Sequence, residues 1–388
     1  MTCKSLLTLR PHHVFWNARF LFDRLMGRKV ILLLSSTGHG FDYLLPIYKE
    51  LSTRHEIRAY WILANKSECQ QDYRNRVGTA EMLAAVKQHK IPRSRVAQIG
   101  RFAIIGDFCI TAHLGGEPFP INRKIPTAYV PHGVVNKVIE DLPDISLCRI
   151  LFSPGPMYDE IASTFHTRGQ ALWDIWHIGY PKIDEVIVKS AARNSHRGKQ
   201  TPTVLFAPTW NKHAALDVYG LAPVDALLEA GLNVIVKLHP ISLGKHPVNR
   251  RDWKNELTRY QGNPRVTIVG SENANPWFLK ADVMVSDVSG VAYEFLATDK
   301  PVVFLDLPPH FFNDPSYPQR LHDVSYWGRS AGIIVNDMEN LVRAVKRSIE
   351  FPMEKAEERR KLREKLFYNP GTASQAAVEH ILRYLQSK

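Results

Sequence analysis

The chain has 388 residues, 45% of them hydrophobic and 23% charged, and a formal net charge of +12. That length exceeds one ordinary hydrophobic core and suits two domains of a soluble globular protein. No stretch approaches the ~20 apolar residues of a membrane-spanning helix. The start, MTCKSLLTLRPHHVF, lacks the apolar centre and cleavage site of a signal peptide, so a protein inside the cell is expected. Cys3, Cys69, Cys109 and Cys148 are scattered without paired spacing, which points to neither a disulfide framework nor a zinc site. The positive charge favours an anionic partner without choosing among nucleic acid, anionic lipid and phosphorylated metabolites.

The first predicted element is an amphipathic helix within residues 1–28. In HHVFWNARFLFDRLMGRK, Phe15, Trp16, Phe20, Leu21, Phe22 and Leu25 recur at mostly helical spacing, with Arg19, Arg24, Arg28 and Lys29 between and after them. A basic helix with an aromatic face suits the plane of an anionic membrane surface, or equally the protein's own core. From Lys29 the pattern turns to α/β. KVILLLSS reads as a buried strand, TGHGF as a glycine turn, DYLLPIYKELSTRH as a helix and IRAYWILA as the next strand. FAIIGDFCITA, TAYVPHG and RILFSPG continue the alternation, which predicts a parallel sheet with helices on its faces over residues 29–189.

The polar, aperiodic SAARNSHRGKQTP at 190–202 reads as a linker. Beyond it TVLFAPTW, NVIVKLHP, RVTIVG, DVMVSD, PVVFLD and GIIVND predict a second parallel sheet over 203–372, with helices through VDALLEAG and GVAYEFLATD. EKAEERRKLREKL reads as a solvated helix with ion pairs along it, and 373–388 as a final amphipathic helix. Two such sheets in tandem leave a cleft between them.

In open α/β sheets ligands bind at the carboxyl ends of strands, and four such ends here carry polar residues. SDVSG, with Ser286, Asp287, Ser289 and Gly290, opens a helix whose unpaired N–H groups favour a phosphate, with Ser289 as its cap; a plain N-cap would read the same way. In KLHP, Lys237 and His239 point to one side of a strand and Leu238 to the other, and two donors there suit a phosphate or a developing charge. PHG sets His132 at a strand-to-loop corner beside Gly133, where an imidazole of ordinary pKa ~6.5 suits general-base work. Lys137 adds positive charge nearby. Thr209, Trp210 and Asn211 follow a strand and can line a donor pocket, with the indole beside a base or ribose, unless Trp210 packs into the core. Glu294, one turn into the SDVSG helix, can accept a ribose hydroxyl or merely complement the helix dipole. The early turn SSTGHGF lacks the third glycine and the later acid of a dinucleotide fingerprint, which excludes NAD. Its Gly38, His39 and Asp42 are then expected on the acceptor side of the cleft.

It is the ordered set that carries a resemblance. PHG followed by a lysine, APTW, a basic residue before Leu-His-Pro, Ser-Asp-x-Ser-x-x-x-x-Glu-Phe ahead of KPVVF, and the near-terminal FYNPGTAS resemble the CDP-glycerol glycerophosphotransferase family, the polyol-phosphate transferases of teichoic acid and capsule synthesis. The resemblance runs from about Ala128 to the C-terminus. It implies an α/β, GT-B-like fold in which two Rossmann-like domains with parallel sheets face a central cleft. The second domain would hold the nucleotide donor, the acceptor would enter from the first, and the last helix would cross back. It further implies His132 as the catalytic base, His239 on the donor phosphates, and Ser286, Ser289 and Gly290 around the pyrophosphate. The chain departs from the family in having VPHGVVNK where a tryptophan and Thr-Pro-Leu-Lys flank the first motif, Gly290 in place of a second serine, and Glu294 in place of an aspartate. These departures bear on which polyol is transferred.

The expected reaction is attack by a hydroxyl of a lipid-linked or oligosaccharide acceptor on a CDP-activated polyol donor, glycerol phosphate being the first choice. Lys237, His239 and the Ser289 turn would neutralise charge while His132 takes the proton. No ligand cluster calls for a metal, so no cofactor is required and a loosely held Mg²⁺ stays compatible. The alternative is a GT-B glycosyltransferase or non-hydrolysing epimerase acting on a UDP- or GDP-sugar. A nucleic-acid partner is excluded because no binding module is recognisable and the basic residues are interspersed with acidic ones. The expected location is cytoplasmic, with peripheral contact at the inner face of the cell membrane allowed by the first helix.

Overall fold

A computed structural model describes residues 11–34, 38–63, 82–99, 103–112, 122, 124–134, 148–166, 174–193, 201–210, 212–245, 249–270, 273–308 and 328–388. The short apolar runs become strands because each is buried on both sides. β1 (Lys29–Leu34), β2 (Ile57–Ile62), β3 (Val96–Ala97), β4 (Phe108–Thr111), β5 (Thr127–Tyr129), β6 (Ile150–Ser153) and β7 (Asp174–His177) form one sheet in the order β3-β2-β1-β4-β5-β6-β7. Every neighbouring pair is parallel. A second sheet holds β8 (Thr203–Phe206), β9 (Asn233–Lys237), β10 (Val266–Val269), β11 (Val283–Ser286), β12 (Val302–Leu305) and β13 (Ile333–Val335) in the order β10-β9-β8-β11-β12-β13, again all parallel. Both sheets thus share one doubly wound order, reversing direction beside their first strand.

The helix read as DYLLPIYKELSTRH starts earlier than its periodicity predicts, spanning Gly38–Ser52, so GHGF is its first turn rather than a loop. Tertiary burial explains the extension. Phe41 is fully buried and stacks on Trp61 with ring centroids 4.2 Å apart, which rewards winding the glycine-rich residues into the helix. The helix Asp184–Arg193 likewise runs into the stretch read as linker.

The first helix, Pro11–Leu25, docks on the opposite face of the first sheet. Its sequence-read aromatic face divides. Phe20 is buried and Trp16 packs beside it, while Val14, Phe15, Leu21, Phe22 and Leu25 point outward. Buried polar groups fix the docking. Asn17 accepts from the Ile104 amide at 3.0 Å, and the fully buried Asp23 accepts from Tyr60 and from Arg28 at 3.0 Å.

The chain returns to the first sheet at its end. Ala377, Val378, Ile381 and Leu385 of the helix Ala373–Gln386 share a core with Ile31, Leu33, Ile110 and Phe152. Asp184 caps this helix, accepting from the Ala373 and Ser374 amides at 3.1 and 2.8 Å and from the Ser374 hydroxyl at 2.6 Å. Asn369 donates to the carbonyls of His177 and Ile178, and Tyr368 donates to Asp159 at 2.7 Å. The two passages approach so closely that glycine is required. Gly179 has φ +97°, and a methyl there would lie 2.2 Å from the Tyr368 carbonyl oxygen.

Gly179→Ala is therefore expected to lower unfolding free energy by about 2–3 kcal/mol in thermal or denaturant melts. Gly231→Ala, with positive φ but nothing within 4 Å, is the control and is expected to cost only about 1 kcal/mol.

Candidate functional site

Strand order reverses between β8 and β11 in the second sheet, so the loops that leave these two strands flank its crevice. They are the loops read as APTW and SDVSG. Their geometry assigns different tasks to residues that looked equivalent in sequence. Ser286 and Asp287 are fully buried. The Ser286 hydroxyl donates to the Ala207 carbonyl at 2.7 Å, and the two carboxylate oxygens of Asp287 accept from the Thr209 and Ala215 amides at 3.0 and 2.9 Å. Both side chains hold the β8 loop by its backbone. Ser289 occupies the N-cap position but makes no side-chain capping bond, unlike the expectation. In front of Gly290 a methyl would meet nothing within 4 Å, so the start of this turn faces open space.

At the end of β9 the alternation holds. Leu238 is buried, whereas Lys237 is half-buried and His239 exposed. The Ile241 amide donates to Nδ1 of His239 at 3.2 Å, so that nitrogen carries no proton and the neutral ring bears its hydrogen on Nε2. His239 is thereby prepared as a hydrogen-bond donor rather than a base. Trp210 is half-buried outside the main cores, its ring 5.7 Å from that of His239. Thr209 is buried and reached through its backbone, while Asn211 lies outside the described residues.

On the facing half, His132 is exposed in the bend after β5, and Gly133 follows it. Val134 is buried in a cluster that combines Tyr180 and Ile183 of the first half with Leu205, Ile235 and Met284 of the second, which puts the PHG bend at the junction of the two sheets. Lys137 lies outside the described residues, as does the side chain of His39; Gly38 and His39 open the helix Gly38–Ser52. Asp42 follows one turn into that helix. Burial pushes its carboxyl up, opposed by Lys182 and by a hydrogen bond with Asn273, with Glu294 adding to the rise and Lys237 opposing it.

Glu294, expected as a ribose acceptor, is bonded within the protein on both oxygens. One oxygen accepts from the Tyr180 hydroxyl at 3.0 Å and the other from the Lys182 ammonium at 2.8 Å, all three groups being largely buried. Burial alone would push the Lys182 ammonium down, but Glu294 reverses this and holds it above the ordinary lysine range. Lys182 also sits 5.0 Å from the Tyr43 ring centre. Tyr43, Tyr180, Lys182 and Asn273 were absent from the sequence-based set. The available signal was GYPK one residue after β7, a polar strand end of the same kind as the four singled out.

A family model described as CDP-glycerol:poly(glycerophosphate) glycerophosphotransferase matches residues 143–383, more than half of the chain. The chain belongs to this family. As a CDP-glycerol glycerophosphotransferase-like enzyme it carries Trp210, Lys237, His239, Ser289, Gly290 and Glu294 within the matched span, while His132 and Asp42 lie before it. No curated protein matches the sequence. Among solved structures, the wall teichoic acid polymerase TagF, soaked with CDPG, is similar over 98% of this chain and 99% of its own at 15% identity, with a TM-score of 0.59. The S. aureus MnaA-UDP complex covers 92% and 97% at 16% identity and a TM-score of 0.51. The UDP-GlcNAc 2-epimerase of Neisseria meningitidis bound to UDP-GlcNAc covers 92% and 100% at 14% and 0.51. At these identities the likeness is one of fold, and the shared architecture is GT-B.

Asp287→Ala in this glycerophosphotransferase-like enzyme leaves two buried amides without an acceptor. A loss of roughly 2–5 kcal/mol in denaturant melts is expected, together with faster hydrogen exchange at Thr209 and Ala215.

Proposed function

We propose that the protein transfers glycerol phosphate from CDP-glycerol to a hydroxyl of a lipid-linked or oligosaccharide acceptor in teichoic acid or capsule polymer synthesis. The observation that carries this reading is the family match, which spans the strand-end set of Trp210, Lys237 and His239. The acceptor oxygen forms a bond to the β-phosphorus while the bond from that phosphorus to the bridging oxygen breaks, and CMP leaves with that oxygen. His132 takes the hydroxyl proton. Lys237 and the Nε2–H of His239 stabilise charge on the phosphates, and the Trp210 face beside His239 receives the nucleotide. The open space before Gly290 takes the pyrophosphate.

The test is mass spectrometry of the full chain incubated with CDP-glycerol, CDP-ribitol, UDP-sugars or GDP-sugars and a lipid-linked disaccharide. CMP release and an acceptor heavier by one glycerol phosphate are expected, with a loss of about 10²–10⁴-fold in His132→Ala. Consumption of a UDP- or GDP-sugar alone would replace this reading by a glycosyltransferase or epimerase.

The first helix supports action at an anionic membrane surface. Phe15, Phe22 and Leu25 are 62%, 50% and 77% exposed, and Val14, Leu21 and Met26 extend the same apolar face. Residues 1–29 contain Lys4, Arg10, Arg19, Arg24, Arg28 and Lys29 against the single acid Asp23. Among the described residues no helix is long and apolar enough to cross a membrane. Apolar insertion together with attraction to anionic headgroups describes a helix lying in the interface. Co-sedimentation with phosphatidylglycerol vesicles is expected to fall at least tenfold in Phe15→Glu/Phe22→Glu and to weaken in high salt. Unchanged sedimentation of that variant would remove the membrane contact from this reading.

A further inference from the structure

Three neighbouring strand starts in the first sheet bring arginines together. Arg28 precedes β1, Arg58 opens β2 and Arg95 ends the turn before β3, at the edge opposite the carboxyl ends that form the cleft. Arg58 and Tyr60, two residues apart on β2, share the face on which the first helix docks, and that helix adds Arg19.

The buried Asp23 is their centre. The guanidinium groups of Arg28, Arg19 and Arg58 lie 3.0, 3.6 and 4.0 Å from its carboxylate, and that of Arg95 lies over the Tyr60 ring, 5.4 Å from its centre. Tyr60 donates to Asp23, and burial together with that hydrogen bond pushes the phenol up, so it adds no negative charge. Among the described residues Asp23 is thus the one acid paired with any of these four arginines. Burial, with the charges of Arg28 and Arg95, pushes the Arg58 guanidinium below its ordinary range although Asp23 opposes this, and Nη1 of Arg95 is buried without a hydrogen-bond partner. A second anion relieves such repulsion, and the planar fork of a guanidinium matches two oxygens of a phosphate.

Arg19 joins this cluster to the apolar surface. Its Nε lies 3.4 Å from the Tyr60 hydroxyl while its guanidinium carbon lies 5.8 Å from the centre of the exposed Phe22 ring, and Leu25 is exposed one turn further on. A phosphate held by the arginines therefore has uncovered hydrocarbon beside it, an arrangement that a free phosphate does not use and a phospholipid does.

We propose that Arg19, Arg28, Arg58 and Arg95 form a binding site for the phosphate of an anionic phospholipid whose acyl chains lie against Phe22 and Leu25. The inference rests on the membrane contact of the reading above and specifies the group that is gripped there. Because three of the four arginines come from the sheet, the bound phosphate ties the helix to the domain behind it as well as to the bilayer.

The experiment measures co-sedimentation of the full chain with phosphatidylglycerol vesicles, and calorimetric titration with monomeric dihexanoylphosphatidylglycerol and with inorganic phosphate. It compares wild type, Arg58→Lys/Arg95→Lys, Arg58→Gln/Arg95→Gln and, as a control for net charge, Arg343→Gln/Arg360→Gln on exposed helices of the second half. The lysine pair keeps the charge and loses the fork, so its affinity for vesicles and for the short-chain lipid is expected to fall at least about fivefold. The glutamine pair is expected to lose more than the roughly 30-fold that general attraction of two charges to an anionic surface supplies. The control is expected to change less than about threefold, because its charges are screened from the surface.

A lysine pair that binds vesicles as the wild type does overturns the proposal. So does inorganic phosphate that binds as tightly as the short-chain lipid, which would make the site one for a free anion. A wild type that ignores vesicles removes the membrane contact and this site together. Binding that is lost in Phe15→Glu/Phe22→Glu but unchanged in both arginine pairs leaves the membrane contact standing and removes the site alone. Should the Arg58 variants not fold, Arg95→Lys and Arg95→Gln carry the same comparison, since Arg95 stands outside the Asp23 ion pairs.

Discussion

Leu366 and Phe367 pass so close to Gly155 that a methyl on that glycine would lie 2.2 Å from the Leu366 carbonyl carbon, and the cleft depends on this crossing. The chain that builds the second sheet must return to the first, and its last helix completes the first sheet's core. Without the return, the halves would be joined only through residues 190–202 and the side chains at their junction. With it, two covalent passages and a shared apolar cluster, from Val134 and Tyr180 to Leu205, Met284 and Phe367, hold the carboxyl ends of both sheets face to face. Apolar burial supplies the attraction, and close backbone approach supplies the register.

Within that frame the buried ion pair has a cost as well as a use. Lys182 and Glu294 must both leave water, and replacing such a pair by apolar groups is often no less stable. Its retention is better explained by geometry. A carboxylate that receives both a phenol and an ammonium can accept them in one arrangement only, so the pair specifies how the helix after SDVSG sits against the turn after β7. Asp287 does the same within the second half, tying two amides of the β8 loop so that Trp210 stands beside His239. Charged groups here act mainly by fixing backbone.

The surplus of positive charge has a comparable division of labour. Arg359, fully buried, is held by Asp299 and by the carbonyls of Pro352 and Glu354, and the helix Ala356–Leu366 pairs its exposed Arg360 with its own Glu357 and Glu364. Pairs of the second kind contribute little each. The first 29 residues carry six cations against the single acid Asp23, with Arg19 and Arg28 on Asp23 and Arg24 on Asp107, around an apolar helix face that the core does not cover.

Apolar runs of four to six residues, alternating with helical periodicity, determined by themselves that this is an α/β protein with two parallel sheets, because strands buried on both faces leave no other reading. The ordered motifs carried the resemblance to the family, since their polar residues recur in the same order at strand ends. The sequence could not distribute roles inside those motifs. Ser286 and Asp287 also bond the backbone of the β8 loop, Glu294 also bonds Lys182 and Tyr180 across the junction, and Lys182 lay outside the motifs singled out. Those assignments depend on which side chains meet across a sequence separation of about a hundred residues, such as the 112 between Lys182 and Glu294. Local spacing says where a side chain leaves the backbone, and only the packing of the two halves decides what it meets there.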